Sequence, residues 1–528
     1  MRARAQVVAR TVIVLCLSHA AAANAQTASP VIKRTAYEDL QMFGQVLNQI
    51  RINHPDSVDA HELFMAAIEG MIHAADPHSY VIPAVRLEPG KEQALREGKL
   101  MPVPISFAFI GGAPVVVSVA AGSASRRLDI LPGDELTGID GAPVTAGSAE
   151  ELEIVLAGAK GSTVNLSLER RREDGTLVDL QRAVTRERVS EASAVPISIM
   201  LDSTTGYTRV TTFMGEKVAD DLHAALDRLE KAGMQRLILD LRDNGGGSVA
   251  EAAHVAGEFL PRGAIVYTAS GRKAEVTDTG RVQRSFWRSE RRYPIVVMVN
   301  AGTASASELV AGALQDHDRA LIVGRPTFGK SLLMRGFPMS DGSVLVLVIG
   351  QVRTPCGRVV QREYHTVSRH EYFRLARVER DTVARPSCRT DAGRVVFGGG
   401  GVYPDIVLKD AAPTPRWLAR INEQQLILSW SGSYVDAGRV TPTLDTFVKS
   451  GALPAAAVSD FVAFAQKQGV DVPPDANTLL EPELRKAVAY AKWGADGAYR
   501  VGVALDPSLQ QAVNSFAEAG RLAGSTRR

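Results

Sequence analysis

Residues 294–334 read PIVVMVNAGTASASELVAGALQDHDRALIVGRPTFGKSLLM. Residues 295–299 are a continuous apolar, β-branched run, which predicts a buried strand. Asn300 to Gly302 is a turn, and a helical pattern rich in small residues starts near Ser305 and runs to about Asp316. A second strand is expected over 320–324, with Phe328-Gly329-Lys330 just past it. A hydroxyl at a helix start has unpaired backbone N–H groups and the positive end of the helix beside it. Both favour the negative charge that develops when a serine attacks a carbonyl. A lysine in a neighbouring glycine-containing turn, once desolvated, becomes a neutral general base. Ser305 and Ser307 are also ordinary helix caps, and Phe-Gly-Lys an ordinary turn. The residues alone leave both readings open.

Strand and helix patterns alternate on either side. Residues 206–213 and 236–241 read as strands, and 218–232 as an amphipathic helix with Leu222, Ala225, Leu226 and Leu229 facing inward. Asn244-Gly245-Gly246-Gly247 is a turn before a helix at 249–259. Its glycines serve a tight turn or a close backbone approach to a ligand, and nothing local separates the two. Alternation of this kind argues for an α/β core. Residues 266–292 are polar and basic and read as a solvated excursion. Residues 352–402 read as an irregular, charged insertion ending in four glycines. Upstream, residues 32–98 carry helical periodicity and 99–188 short strands around a helix at 150–156. His73 and His78 read as packing or capping residues, Asp240 and Arg242 as structural or positioning groups. Residues 413–528 look like a separate helical region, in which Asp506-Pro507 is a helix cap followed by an N1 proline.

Four blocks, in this order, resemble the carboxyl-terminal processing or tail-specific proteases, which are serine/lysine peptidases. They are Asp76-Pro77-His78-Ser79-Tyr80, Leu239-Asp240-Leu241-Arg242-Asp243-Asn244-Gly245-Gly246-Gly247, Thr303-Ala304-Ser305-Ala306-Ser307-Glu308 and Thr327-Phe328-Gly329-Lys330. Leu131-Pro132-Gly133-Asp134 between the first two is similar to a PDZ domain. The resemblance covers roughly residues 40–410. It implies a multidomain α/β protein with a ClpP/crotonase-like core, an inserted β-rich PDZ domain, an N-terminal helical segment and a C-terminal helical region. The expected boundaries are 26–98 for the N-terminal segment, 99–188 for the PDZ domain, 189–412 for the core including insertion 352–402, and 413–528 for the C-terminal region. It further implies Ser305 as nucleophile, Lys330 as its base, and the N–H groups of Gly246 and Ala306 as the oxyanion hole. A PDZ domain implies recognition of free C-termini, with Ile105, Ser106 and Phe107 at the peptide-binding edge. Two departures stand out. Met334 occupies the place of a glutamine that holds the family's lysine, and a thioether cannot orient an amine as an amide does. Gln351 and Ser331 are the candidate replacements. Pro104 precedes Ile105, Ser106 and Phe107 where the family shows a glycine-rich carboxylate loop, and proline lacks an N–H.

At 528 residues the chain is too long for one core and suggests three or four domains. A net charge of +2 without a basic stripe gives no reason to expect a nucleic-acid partner. Arg2, Arg4 and Arg10, a short apolar run at 11–17 and Ala23-Asn24-Ala25 read as an export signal over residues 1–25. The run is too short to span a bilayer, and Leu15 before Cys16 does not suit lipid attachment, so no stable membrane anchor is expected. Cys356 and Cys388 remain after the signal. In an oxidising compartment an even pair suggests a disulfide, with two free thiols as the alternative. No Cys-x-x-Cys or close His pairing accompanies them, so no metal site is expected. Two functions follow. The first is a cofactor-independent exported serine endopeptidase of a bacterial periplasm, acting on unstructured protein or peptide C-termini with an adaptor or homo-oligomer as further partners. The second is a non-catalytic, PDZ-containing binding or scaffold protein that retains the fold.

Overall fold

The structure is a computed structural model that describes residues 35–525 except 83–90, 92–93, 95–98, 111–112, 120–122, 124, 126–127, 132, 145, 147–148, 172–175, 188–192, 215–216, 273–275, 284–289, 341–342, 368–370, 373, 376–384, 409–413 and 441–442. The expected export signal lies outside the described residues. Residues up to Ala75 form one compact unit and Asp76–Arg528 another. In the first, Thr35 and Glu38 cap the Ala36–Asn53 helix reciprocally. The Ala60–Ala75 helix brings Phe64 to 5.8 Å from Phe43, ring to ring.

The second unit opens with β1 (Tyr80–Ile82). Next come β2 (Ile105–Ile110), β3 (Ala113–Val119), β4 (Glu135–Ile139), β5 (Ala142–Pro143), β6 (Thr163–Arg171) and β7 (Leu177–Thr185), an antiparallel sheet in the order β2-β3-β4-β6-β7 with β5 on β4. Val116, Leu136, Val164, Leu166 and Leu168 pack with Leu152 of the Ala149–Leu156 helix in a core of their own. The chain then forms β8 (Ile197–Met200), β9 (Thr205–Arg209), β10 (Arg236–Asp240), β11 (Ile265–Ser270), β12 (Val276–Arg281), β13 (Ile295–Val299), β14 (Leu321–Gly324), β15 (Leu332–Pro338), β16 (Val344–Arg353), β17 (Ser387–Arg389), β18 (Val395–Phe397) and β19 (Ile406–Val407).

The sheet that carries the 294–334 stretch runs β19-β14-β13-β10-β9-β8, parallel throughout except for β8 on β9. A parallel sheet is buried on both faces. Leu237, Leu239, Ile295, Val297 and Ile322 point to one face, where the Val218–Lys231, Val249–Gly257 and Ala306–Asp316 helices cover them. Ile238, Val296, Met298, Leu321 and Val323 point to the other, and there Leu509, Ala512, Phe516 and Ala519 of the last two helices, Pro507–Asn514 and Phe516–Ser525, provide the cover. The C-terminal region is therefore not wholly separate. Residues 416–505 build their own core around Trp430, Phe461 and Leu484, and the final helices belong to the central sheet.

Two other expectations change. The 266–292 stretch is no solvated excursion: β11 and β12 form a hairpin in the sheet β1-β16-β11-β12, and Val266, Ala269 and Val282 are buried. The apolar residues are too widely spaced there to stand out among the basic ones. The strand expected over 206–213 ends at Arg209, with Phe213 making an isolated bridge to Gly247. Among its described residues the 352–402 insertion is largely irregular, with the β17–β18 hairpin inside it. A disulfide joins Cys356 to Cys388, their Cα atoms 6.1 Å apart. The insertion is fastened to the end of the Ala306–Asp316 helix, where Asp316 pairs with buried Arg358 at 2.8 Å and accepts from the Cys356 N–H. Closing a loop of 32 residues is worth roughly 3–4 kcal/mol in the chain-entropy model. Denaturant titration of the Cys356→Ser/Cys388→Ser variant should show a loss of that order, and an unchanged midpoint would contradict it.

Candidate active site

Ser305 caps the Ala306–Asp316 helix with φ 57 and ψ −119, a conformation non-glycine residues rarely hold. Three hydrogen bonds over-determine it. Its carbonyl accepts from the N–H groups of Glu308 and Leu309 at 2.8 and 3.1 Å, and its own N–H donates to Glu308 Oε2 at 2.8 Å. Such a turn sets the residue at the head of the helix, beside the N–H groups that have no intrahelical partner.

Glu308 is the hub of the site. It is fully buried, and its carboxylate accepts from the N–H groups of Ser305, Gly329 and Lys330, each at 2.8 Å, and from the Thr327 hydroxyl at 2.5 Å. One oxygen, Oε2, takes both the Ser305 and the Lys330 N–H, so the two backbone nitrogens lie within twice that bond length of each other. Burial pushes the Glu308 carboxyl up to about 7, against the pull of the Thr327 hydroxyl and the three N–H donors. The sign follows. A carboxyl that holds its proton more tightly folded than unfolded loses stability as pH rises from the ordinary carboxyl range through about 7.

Burial lowers the Lys330 amine below the usual lysine range, against the opposing fields of Glu308 and Asp76. Among the described residues no hydrogen bond or ion pair holds its Nζ. Of the two groups expected to orient it, Ser331 spends its hydroxyl on Val352 O at 2.5 Å. Gln351 lies in β16, paired with Leu332 and with Ser270. The amide beside the lysine is instead Gln361. Its Oε1 accepts from the Ser331 N–H at 2.8 Å, and its Nε2 donates to the Tyr372 hydroxyl at 3.1 Å. It braces the backbone after the lysine rather than the amine. Tyr372 also meets His78 Nε2 at 2.8 Å, within a set of edge-on rings that includes Phe328 and Tyr364. His78 is thus a buried packing residue behind the lysine turn. Asp76 caps that segment, accepting from the N–H groups of His78 and Ser79.

The glycine turn reaches the same point. A Cβ on Gly246 would lie 2.8 Å from Ser305 Cβ and 2.9 Å from Ala306 N, so only glycine fits against the serine. The Ala306 nitrogen, the first of the helix, lies at that spot. The Gly246 N–H, expected in the same role, instead donates to Asn244 Oδ1 at 2.9 Å. The Asn244 carbonyl accepts from the Ala304 N–H and the Ser307 hydroxyl, both at 2.9 Å, which ties the glycine turn to the serine turn. Ile105, Ser106 and Phe107 lie in β2, which among the described residues pairs with β3 alone, at the edge of a different sheet. Ile105 is buried and Ser106 exposed. One group of metal-ligand type gathers among the described residues, Asp316, Cys356 and Cys388 within 4.8 Å, and both its sulfurs are bound in the disulfide. Glu308, Gln361 and Tyr372 were not singled out from the sequence. Glu308, three residues after the cap serine, carried a capping-box signal that could have found it.

Residues 204–368 match Peptidase family S41 and residues 95–181 match the PDZ domain. Carboxyl-terminal-processing peptidase 2, chloroplastic, of Arabidopsis thaliana is 36% identical over 285 residues, 51% of this chain and 53% of that protein. C-terminal processing peptidase, chloroplastic, of Tetradesmus obliquus is 32% identical over 346 residues, 61% of this chain and 71% of that protein. The chain thus spans about half the length of the first relative and more of the second. Among solved structures, the photosystem II D1 C-terminal processing protease is 24% identical, with a TM-score of 0.36 over 75% of this chain and 91% of that one.

Replacing Glu308 by Gln puts an amide NH₂ against backbone donors and strands at least one of them. A buried unsatisfied donor costs about 1–3 kcal/mol. Glu308→Gln should therefore lower stability by that order in chemical denaturation. It should also remove the fall in stability between the ordinary carboxyl range and about pH 7. A wild-type denaturation profile would refute the hub.

Proposed function

The chain belongs to the carboxyl-terminal processing peptidases of family S41, and on that premise we propose that it is an exported serine endopeptidase that cuts protein or peptide substrates near their C-termini with a Ser305/Lys330 dyad. The observation that carries the reading is Glu308 Oε2, which gathers the Ser305 and Lys330 N–H groups onto one atom. In the mechanism, Ser305 Oγ attacks the scissile carbonyl carbon while neutral Lys330 Nζ takes the hydroxyl proton. The Ala306 N–H stabilises the oxyanion. Gly246 supplies a second donor when its N–H leaves Asn244 Oδ1. The intermediate collapses as the C–N bond breaks, and Lys330 returns the proton to the leaving amine. Water, deprotonated by Lys330, then attacks the acyl-enzyme carbonyl, the C–Oγ bond breaks, and Lys330 returns the proton to Ser305 Oγ. No cofactor enters these steps.

The β2–β7 sheet, which the PDZ match covers as far as residue 181, is the substrate receptor in this reading. A peptide would add to the β2 edge beside Ile105, Ser106 and Phe107. Pro104 subtracts one N–H from the carboxylate loop, which makes this a weak anion site. Export rests on the basic and apolar start of the chain, and no helix among the described residues is long and apolar enough to cross a membrane.

Against an unstructured protein substrate, purified Ser305→Ala and Lys330→Ala should each lose cleavage by at least ~10³-fold while circular dichroism is unchanged. For the wild type, kcat/KM should rise with pH, because the active form is the deprotonated amine. Its midpoint should lie below the free lysine value of ~10.4, since burial lowers the Lys330 amine. Full activity of either variant, or a rate that falls as pH rises from 6 to 9, would overturn the dyad, and a wild type that cleaves nothing would favour a non-catalytic PDZ-containing scaffold.

A further inference from the structure

Arg242 follows β10 and immediately precedes the turn that presses on the serine. Its guanidinium is held at both ends. Asp240 accepts from Nε at 2.9 Å and from one terminal nitrogen at 2.7 Å. From 264 residues further along the chain, Asp506 Oδ2 lies 2.6 Å from that same nitrogen, and the Ser508 hydroxyl accepts from the other at 2.8 Å. Asp506 is also the cap of the Pro507–Asn514 helix, through Oδ1 and the Ser508 N–H at 2.8 Å. Burial alone would raise the Asp506 carboxyl, but Arg242 and Ser508 outweigh it and hold it below the usual carboxylate range.

The grip continues into the site. Arg209 donates to the Arg242 carbonyl at 2.9 Å and to Asp243 at 3.2 Å. Asp243, at φ 59, exchanges hydrogen bonds with the Asn300 side chain. Asn244 carries the link to Ala304 and Ser307 on either side of the nucleophile.

We propose that Asp506, from the C-terminal helical region, is a positioning residue: by clamping Arg242 it fixes the 243–247 turn against Ser305 and Ala306, where the oxyanion forms. The proposal rests on the peptidase reading for its kinetic consequence. It gives a part in the chemistry to the C-terminal region, which lies beyond both family matches, ending at residues 368 and 181.

The discriminating variant is Asp506→Asn in the full chain. Asn caps a helix as well as Asp, so the Pro507–Asn514 helix is retained while the negative charge that faces Arg242 is lost. Hydrogen–deuterium exchange should rise at least ~5-fold in residues 243–248 and stay unchanged in 509–525. Affinity for a peptide aldehyde, which forms a tetrahedral adduct on the serine, should fall about tenfold (~1.4 kcal/mol). kcat should fall similarly at nearly constant KM. Unchanged exchange at 243–248, or a joint rise in 243–248 and 509–525, would overturn the proposal, the joint rise marking a merely structural role. If the wild type neither cleaves nor binds the aldehyde, the peptidase reading fails, and the exchange comparison still decides whether Asp506 fixes the turn.

Discussion

A single buried carboxylate sets the geometry on which the rest depends. Glu308 lies on the helix that starts at Ser305, and it takes its hydrogen bonds from the serine turn and from Thr327, Gly329 and Lys330 in the next loop. Every partner is a donor, so the site is built for an acceptor. Burial works the other way, pushing the carboxyl up to about 7. The two pressures share a consequence for the lysine. Ionised Glu308 raises the affinity of Lys330 for its proton, and partial protonation relieves that pull. A group placed to organise the backbone therefore also acts on the proton affinity of the Lys330 amine.

The second constraint is the two-faced burial of the parallel sheet. β10 and β13 are apolar on both sides, and one set of helices covers only one side. The chain completes the other with its last helices, which brings the cap of Pro507–Asn514 to the end of β10. Asp240, on that second face, is then opposite the cap rather than opposite solvent, and Arg242 bridges the two. Covering a sheet and gripping an active-site turn are the same act of packing.

Much of this was legible in the sequence because it is local. The IVVMV run, the small-residue helix after Ser305, the Gly246 turn and the Lys330 turn are all contiguous patterns with a direct physical reading. What escaped was long-range or concealed by polarity. Gln361 sits in an irregular insertion, and nothing in its neighbours announces that it will meet Ser331. The β11–β12 hairpin was hidden because Thr, Ser, Asp and Gly interrupt the apolar pattern of its strands. The partnership of Arg242 with Asp506 spans most of the core and both its residues carry an adequate local explanation, a turn residue and a helix cap. The commitment of the Gly246 N–H to Asn244 depends on a side-chain orientation that spacing cannot specify.

The account turns on Ser305 being a nucleophile activated by Lys330. The direct measurement is peptide mapping by mass spectrometry after treatment with an acylating or phosphonylating serine probe at alkaline pH. A single adduct on Ser305 in the wild type, lost in Lys330→Ala, is the predicted result. No adduct, an adduct on Ser307, or equal labelling of Ser305 without Lys330 would contradict it.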